Sequence, residues 1–334
     1  MNLANKNILF LCPEFFGYEI KIAKKMKDLG ANVEYFDARS VTSAFEKALN
    51  KVNPSLFTKK TNDYYDDILM QVKDISFDYV LVIRGEMTPV SFLKKIKELS
   101  PQAKLILYLW DSIKNVVGID KKIYIYDSIL SFDPLDSRKY QNVIFRPLFF
   151  SDDYQKQNSQ SDYKYDIIFL GTIHSDRFKI IKEIEKQCQE SNLKTYWFKF
   201  LQGRFIYHFY KLIRSEFRNT KITDFDFDKM HSTEIAKIVD ATKVVLDIEH
   251  PHQTGLTMRT IEMIGMEKKI ITTNSSIQDY DFYNPNNILI IDRKNPVLDM
   301  SFFEKKYEEI SEELYFKYSL EGWLLQVFSF IEVK

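Results

Sequence analysis

The chain alternates short runs that are apolar at almost every position with segments of helical period, and this constrains its fold more than any other feature. Residues 8–12 read Ile8, Leu9, Phe10, Leu11 and Cys12, and residues 79–83 read Tyr79, Val80, Leu81, Val82 and Ile83. A strand apolar on both sides must be covered on both sides, which is the condition of a parallel sheet with helices on each face. The spacing predicts strands over residues 8–12, 32–36, 79–83, 104–110, 124–130 and 143–145. Helices are predicted over 19–29, closed by Gly30, and over 90–99, stopped by Ser100 and Pro101, with a Lys- and Asp-rich helical stretch before the third strand.

Residues 151–163 are polar and aperiodic, which reads as a linker. A second alternation follows. Strands are predicted over 166–170, 195–198, 244–248, 269–273 and 287–291, and helices over 178–191, 233–241 and 257–266. A long helical pattern, 302–333, closes the chain. The expected fold class is therefore α/β, with two Rossmann-like doubly wound domains facing across a cleft. Their expected bounds are 1–150 and 164–315, with the linker between them and a final helix, 316–334, crossing back to the first domain. Its apolar end, from Trp323 to Ile331, is too greasy to be left in water.

Composition excludes several classes. Lys+Arg and Asp+Glu both number 47, which removes the simplest electrostatic case for nucleic acid as a partner. Cys12 and Cys188 are too few for a disulfide framework or a zinc cage, so a cytoplasmic location is expected. The first apolar run is too short for a signal peptide, and no run is long enough to span a bilayer.

In open parallel sheets the ligand crevice lies off the carboxyl ends of the strands, so the residues just after each strand are the ones to read. In the second half these include Gly171, Thr172, His174, Asp176 and Arg177, and then Glu249, His250, His252, Thr254, Gly255 and Thr257 ahead of a helix start. A glycine loop entering a helix N-terminus suits a phosphate, because free N–H groups and the positive dipole end point at it. Arg177 and Arg259 could bond a diphosphate, and Glu262 a pair of sugar hydroxyls. A loop leading into a helix N-terminus also occurs in every α/β domain as ordinary architecture.

The stretch Thr254-Gly255-Leu256-Thr257-Met258-Arg259-Thr260-Ile261-Glu262, followed by Lys269 to Asn274, resembles the donor-binding segment of GT-B glycosyltransferases. It is most similar to the bacterial surface-polysaccharide and spore-maturation (CgeB-like) branches. The resemblance implies a nucleotide-sugar in the C-terminal half, Glu262 on the nucleotide ribose, and Gly255 and Thr257 near the diphosphate. Many retaining members carry a second glutamate where Thr254 stands here, and that difference favours inversion. The glycine usual five residues after the ribose glutamate is Glu267 here, with Gly265 two positions early.

Inverting transfer needs a group that takes the proton from the acceptor hydroxyl. All five histidines lie in the second half, so the first-half candidates are Glu86 and Asp111, then Glu14, with Asp133 also at a strand end. No metal and no cofactor are expected. His250 and His252 lack a third ligand nearby, and the run Asp224, Asp226, Asp228 reads as the solvated face of an extended segment.

Residues 204–218 form a helical pattern with Arg204, Lys211, Arg214 and Arg218 in one quarter of the wheel and Phe205, Ile206, Phe209, Leu212 and Ile213 opposite. That suits a helix lying in an anionic membrane interface, with an ordinary surface helix packed on the sheet as the alternative. The expected function is transfer of a sugar to a glycan or lipid-linked precursor of lipopolysaccharide, capsule or a related surface glycan. The rivals are a sugar-nucleotide epimerase on the same fold and a non-catalytic nucleotide-sugar-binding scaffold.

Overall fold

The computed structural model describes residues 2–40, 57–156, 163–251 and 253–330. The chain divides into two compact units, Met1–Leu148 with Leu320–Lys334, and Phe149–Ser319.

In the first unit six parallel strands stand in the order β2-β1-β3-β4-β5-β6, where β1 is Asn7–Leu11, β2 Asn32–Phe36, β3 Tyr79–Ile83, β4 Lys104–Leu109, β5 Ser128–Ser131 and β6 Val143–Phe145. The apolar runs become the central strands: every residue of β3 is buried, and all of β4 except Lys104. Helices Tyr18–Asp28, Thr58–Val72 and Val90–Leu99 turn Ile22, Met26, Ile68, Val72, Phe92 and Ile96 inward. Gly30 ends the first helix in the left-handed region at φ 88°. Its N–H reaches Lys27 O while Ala31 N–H reaches Met26 O, the paired bonds of a Schellman motif. The helix Leu320–Ser329 completes this unit. Trp323, Leu324, Val327 and Phe328 are fully buried, with Trp323 edge-on to Tyr108 at 4.7 Å and Phe328 edge-on to Tyr79 at 5.1 Å.

The second unit has five parallel strands in the order β11-β10-β9-β7-β8: β7 Tyr165–Thr172, β8 Thr195–Phe200, β9 Thr242–Asp247, β10 Lys269–Thr272 and β11 Ile288–Ile290. Helices Arg177–Glu190, Ser232–Asp240 and Met258–Gly265 join successive strands. Part of the stretch read as a linker is built into this unit. Asp152–Tyr154 form a 3-10 turn with Ser151 and Tyr154 buried, while residues 157–162 lie outside the described residues. Phe150 donates its N–H to Tyr318 O, and both flank the second unit's core.

The closing pattern is not one helix. It divides into Ser301–Glu304, an irregular stretch, Glu312–Tyr318 and Leu320–Ser329, with residues 331–334 outside the described residues. The irregular stretch is held by tertiary bonds that outweigh its helical period: Glu308 N–H donates to Asn287 Oδ1 (2.8 Å), and its carboxylate accepts from Asn284 Nδ2 (2.6 Å) and from Asn286. The basic helix also stops early, at Ile213, and Glu216 lies beyond it in a 3-10 turn.

Candidate functional site

A doubly wound sheet opens a crevice where neighbouring strands send their chains in opposite directions. In the second unit that point lies between β7 and β9, since β7 leads to β8 on one side and β9 continues on the other. Four strand ends meet around one side chain there. Arg293, three residues past β11, donates from Nε and Nη2 to both oxygens of Asp176 (2.8 Å each), a bidentate pair. Its Nη1 reaches Glu249 Oε1 (2.5 Å) and Thr273 Oγ1 (3.2 Å), and Thr273 Oγ1 donates to Glu249 Oε2 (2.6 Å). The loops after β7, β9, β10 and β11 are thus tied together through charge and hydrogen bonds.

The electrostatics follow. The Arg293 fork holds the Asp176 carboxyl below its ordinary range, whereas burial pushes Glu249 up despite its bond from Thr273. His174 and His250 face each other with ring centroids 5.6 Å apart. Burial, with the charges of Arg177, His250 and Arg293, holds the His174 imidazole at about 4, so the ring is neutral at pH 7.

The other expected donor-side residues are placed as follows. Gly171 and Thr172 belong to β7 itself, and Arg177 folds back so that Nη1 donates to Thr172 O (2.9 Å) while its buried Nε has no hydrogen-bond partner. A Cβ on Gly171 would stand 2.9 Å from the Phe169 ring and 3.4 Å from Arg177 Nη1, so this glycine makes room for that return. Thr257 is the N-cap of Met258–Gly265: Oγ1 accepts from Thr260 N–H (3.1 Å) and donates to Asp247 Oδ2 (2.8 Å). Gly255 is buried, its carbonyl accepting from Gln253 Nε2 (2.9 Å). His252 lies outside the described residues.

Arg259 and Glu262 lie one turn apart on the helix Met258–Gly265 and pair with each other. Arg259 Nη1 pairs with Glu262 Oε2 at 3.1 Å, and Glu262 is 3% exposed. Burial and the Glu262 charge together push the Tyr154 phenol up, which places that ring beside the pair. Two of the expected donor-side residues are thus joined in a largely buried ion pair on one helix face.

In the first unit the corresponding point lies between β1 and β3, with Glu14 and Glu86 in the loops that follow them. Arg84 and Gly85 both adopt left-handed backbone, φ 68° and 72°. This bend costs on the order of 1–2 kcal/mol at a non-glycine residue. Its Nε donates to Glu86 Oε2 (3.0 Å), and Nη2 lies 4.0 Å from Asp111 Oδ2. Asp111 also accepts from Ser112 N–H and Asn115 Nδ2, 3.0 Å each. Glu14 is exposed, and its carbonyl accepts from Arg39 Nη2 (2.9 Å). Beside it Phe16 is held at φ 53° with its ring 73% exposed, and Phe15 packs against both Phe16 and Trp110. Asp133 is buried as the N-cap of Pro134–Lys139, accepting from Leu135 N–H (2.9 Å) and from Ser112 Oγ.

No protein-family profile and no curated protein matches this sequence. Solved structures do. The lipopolysaccharide outer core galactosyltransferase WaaB is 11% identical at a TM-score of 0.55, over 97% of this chain and 99% of its own. Alr3699/HepE of Anabaena, in complex with UDP and glucose, is 10% identical at 0.59, over 98% and 99%. The UDP-forming α,α-trehalose-phosphate synthase of Burkholderia xenovorans, in complex with glucose-6-phosphate, is 9% identical at 0.65, over 98% and 100%. The fold is GT-B. At these identities the likeness concerns the backbone: two Rossmann-like units with parallel sheets.

The GT-B motif region explains one departure in the sequence. Glu267, standing where such sequences commonly carry glycine, is in the left-handed region at φ 50°, the conformation glycine adopts without strain. Its carboxylate holds Lys156 Nζ at 2.7 Å. Gly265 is needed for another reason: a Cβ there would overlap Tyr154 O and the Phe150 ring.

Sequence reading missed Arg293 and Arg84. The same rule that found the other candidates, inspection of residues just past a strand end, applies to both.

Among the described residues no group of three or more His, Cys, Asp or Glu side chains is placed to hold a metal ion. In the Asp224–Asp228 run, Asp224 accepts from Lys221 N–H (2.7 Å) and Asp226 from Lys199 N–H (2.9 Å).

Proposed function

We propose that the chain is a GT-B glycosyltransferase that moves a sugar from a nucleotide-sugar to a surface-glycan precursor, with inversion and without a metal. The observation that carries this reading is the pair of polar switch points, one helix-flanked and built around Arg293 with Asp176 and Glu249, the other around Arg84 with Glu86 and Asp111, on a backbone shared with WaaB and HepE. The second unit would take the donor. Its diphosphate fits the N-termini of Arg177–Glu190 and Met258–Gly265, with Arg177 and Arg293 as counter-charges. Glu262 is the proposed ribose ligand, reached by loosening its pair with Arg259.

In the first unit Glu86 is the proposed general base, with Asp111, linked to it through Arg84, and then Glu14 as the other candidates. The carboxylate takes the proton of the acceptor hydroxyl as that oxygen bonds to the anomeric carbon. The bond from that carbon to the diphosphate breaks, and the nucleoside diphosphate leaves with the electron pair. Arg84 would hold Glu86 in position. The two cysteines are buried free thiols, which supports a reducing, cytoplasmic setting. The position of Thr254 supports inversion, although one structural relative is a trehalose-6-phosphate synthase described as transferring with retention.

The test is incubation of the purified chain with a panel of nucleotide-sugars and glycan acceptors, with and without EDTA, following nucleotide release and the product's anomeric configuration by NMR. Release only with acceptor, unaffected by EDTA and lowered about 10²–10⁴-fold in Glu86→Gln, supports the reading. An isomerised donor without acceptor identifies an epimerase, and binding without turnover identifies a scaffold.

A further inference from the structure

The helix Arg204–Ile213 is built for two environments. Tyr207 is buried, and Ile206 and Tyr210 pack on the second unit's core beside it. Its other apolar side chains do not follow them inward: Leu212 is 81% exposed, Phe205 74%, Ile213 57% and Phe209 55%. At about 100° per residue these four share one outward stripe. A second outward row, Arg204, His208 and Lys211, borders it, and Arg218 and Lys221 are exposed just beyond the helix. Glu216 is the only acidic residue in positions 204–221.

The cations have fixed places. Arg204 lies over the Phe227 ring at 5.9 Å, and Lys211 Nζ donates to Thr220 O at 2.8 Å.

We infer that this helix seats the chain on an anionic lipid surface. An apolar stripe bordered by lysine and arginine is the pattern of a helix lying in the interface plane, rings and aliphatic chains below the headgroups and cations among the phosphates. At ten residues the helix is about 15 Å long, and no helix among the described residues is long and apolar enough to cross a membrane. A second copy of the chain fits less well. The four exposed side chains offer roughly 500 Å², short of the ~800 Å² per partner of a stable interface. A two-fold pairing of the stripe would also bring the basic row toward its own copy. The helix adjoins the donor-side switch point: Arg214, the next residue, stacks on Tyr210 at 4.1 Å and donates to Ser175 O in the loop after β7.

The experiment uses the full chain in vesicle flotation, with phosphatidylcholine vesicles and with vesicles in which about one third of the lipid is phosphatidylglycerol. Flotation with the anionic vesicles alone is expected, weakened by salt and reduced at least about tenfold in the double variant Phe205→Ser, Leu212→Ser. These side chains are exposed, so the variant should keep the wild-type melting temperature. A second readout is independent of that variant: Phe209→Cys labelled with an environment-sensitive dye should shift to the blue on adding anionic vesicles. No flotation of the wild-type chain, equal flotation of the variant, an unshifted dye, or a solution dimer that the variant splits would each overturn the inference.

Discussion

Replacing Gly265 with alanine tests the packing that positions the candidate ribose helix. Gly265 is the last residue of Met258–Gly265, and the added Cβ would stand 2.6 Å from Phe150 Cδ2 and closer still to Phe150 Cγ and Tyr154 O. Ordinary carbon contacts need about 3.5–4.0 Å, so the shortfall is roughly an ångström or more. The obstructing atoms are a fully buried ring and a backbone carbonyl, which cannot swing away as a surface side chain would. Overpacking of this kind costs about 1–3 kcal/mol, and forcing the backbone to move places it at the upper end; the better helix propensity of alanine returns less than ~1 kcal/mol at a helix end. A net loss of about 2–3 kcal/mol should lower the second unit's melting temperature by about 5–10 °C. Differential scanning calorimetry resolves this. The control Glu267→Gly relieves a left-handed glutamate but gives up the Lys156 pair, and should move the transition little. A Gly265→Ala transition within about 1 °C of wild type would refute the packing argument.

Other outcomes follow from the same geometry. Glu262→Gln should raise the dissociation constant for the donor's nucleotide about 5–100-fold, equivalent to 1–3 kcal/mol, and an unchanged constant in isothermal titration calorimetry removes the ribose role. Trp323→Ala should destabilise the first unit by about 3–5 kcal/mol through the cavity left against Tyr108, read as an earlier chemical-denaturation midpoint for that unit. His174 titrates at about 4 in the folded chain against an ordinary 6.5, so the unfolded chain binds more protons between those values. Its contribution to stability is present above pH 6.5 and is lost as pH falls toward 4. The ring is only half-buried, so the loss should be on the order of 1 kcal/mol, and His174→Gln should flatten the stability profile by that amount across this window.

The alternation of strands and helices was legible because it is a local property: an apolar run bounded by polar residues forms a buried strand wherever it lies in the sheet. Strands 32–36, 79–83 and 143–145 and the helix 90–99 have the bounds their spacing predicts. The positions of Glu14, Glu86 and the two second-half loops just past β1, β3, β7 and β9 were legible for the same reason. Tertiary structure decided what each side chain faces, because partners such as Arg293 and Asp176, or Glu308 and Asn287, are far apart in the chain and meet only when the elements between them have packed. That is why residues 305–310 leave the helix despite a helical pattern, and why the Arg204–Ile213 helix turns Tyr207 inward and leaves Phe205 and Leu212 in solvent. Periodicity specifies which residues share a face; only the arrangement of neighbouring elements determines whether that face is covered.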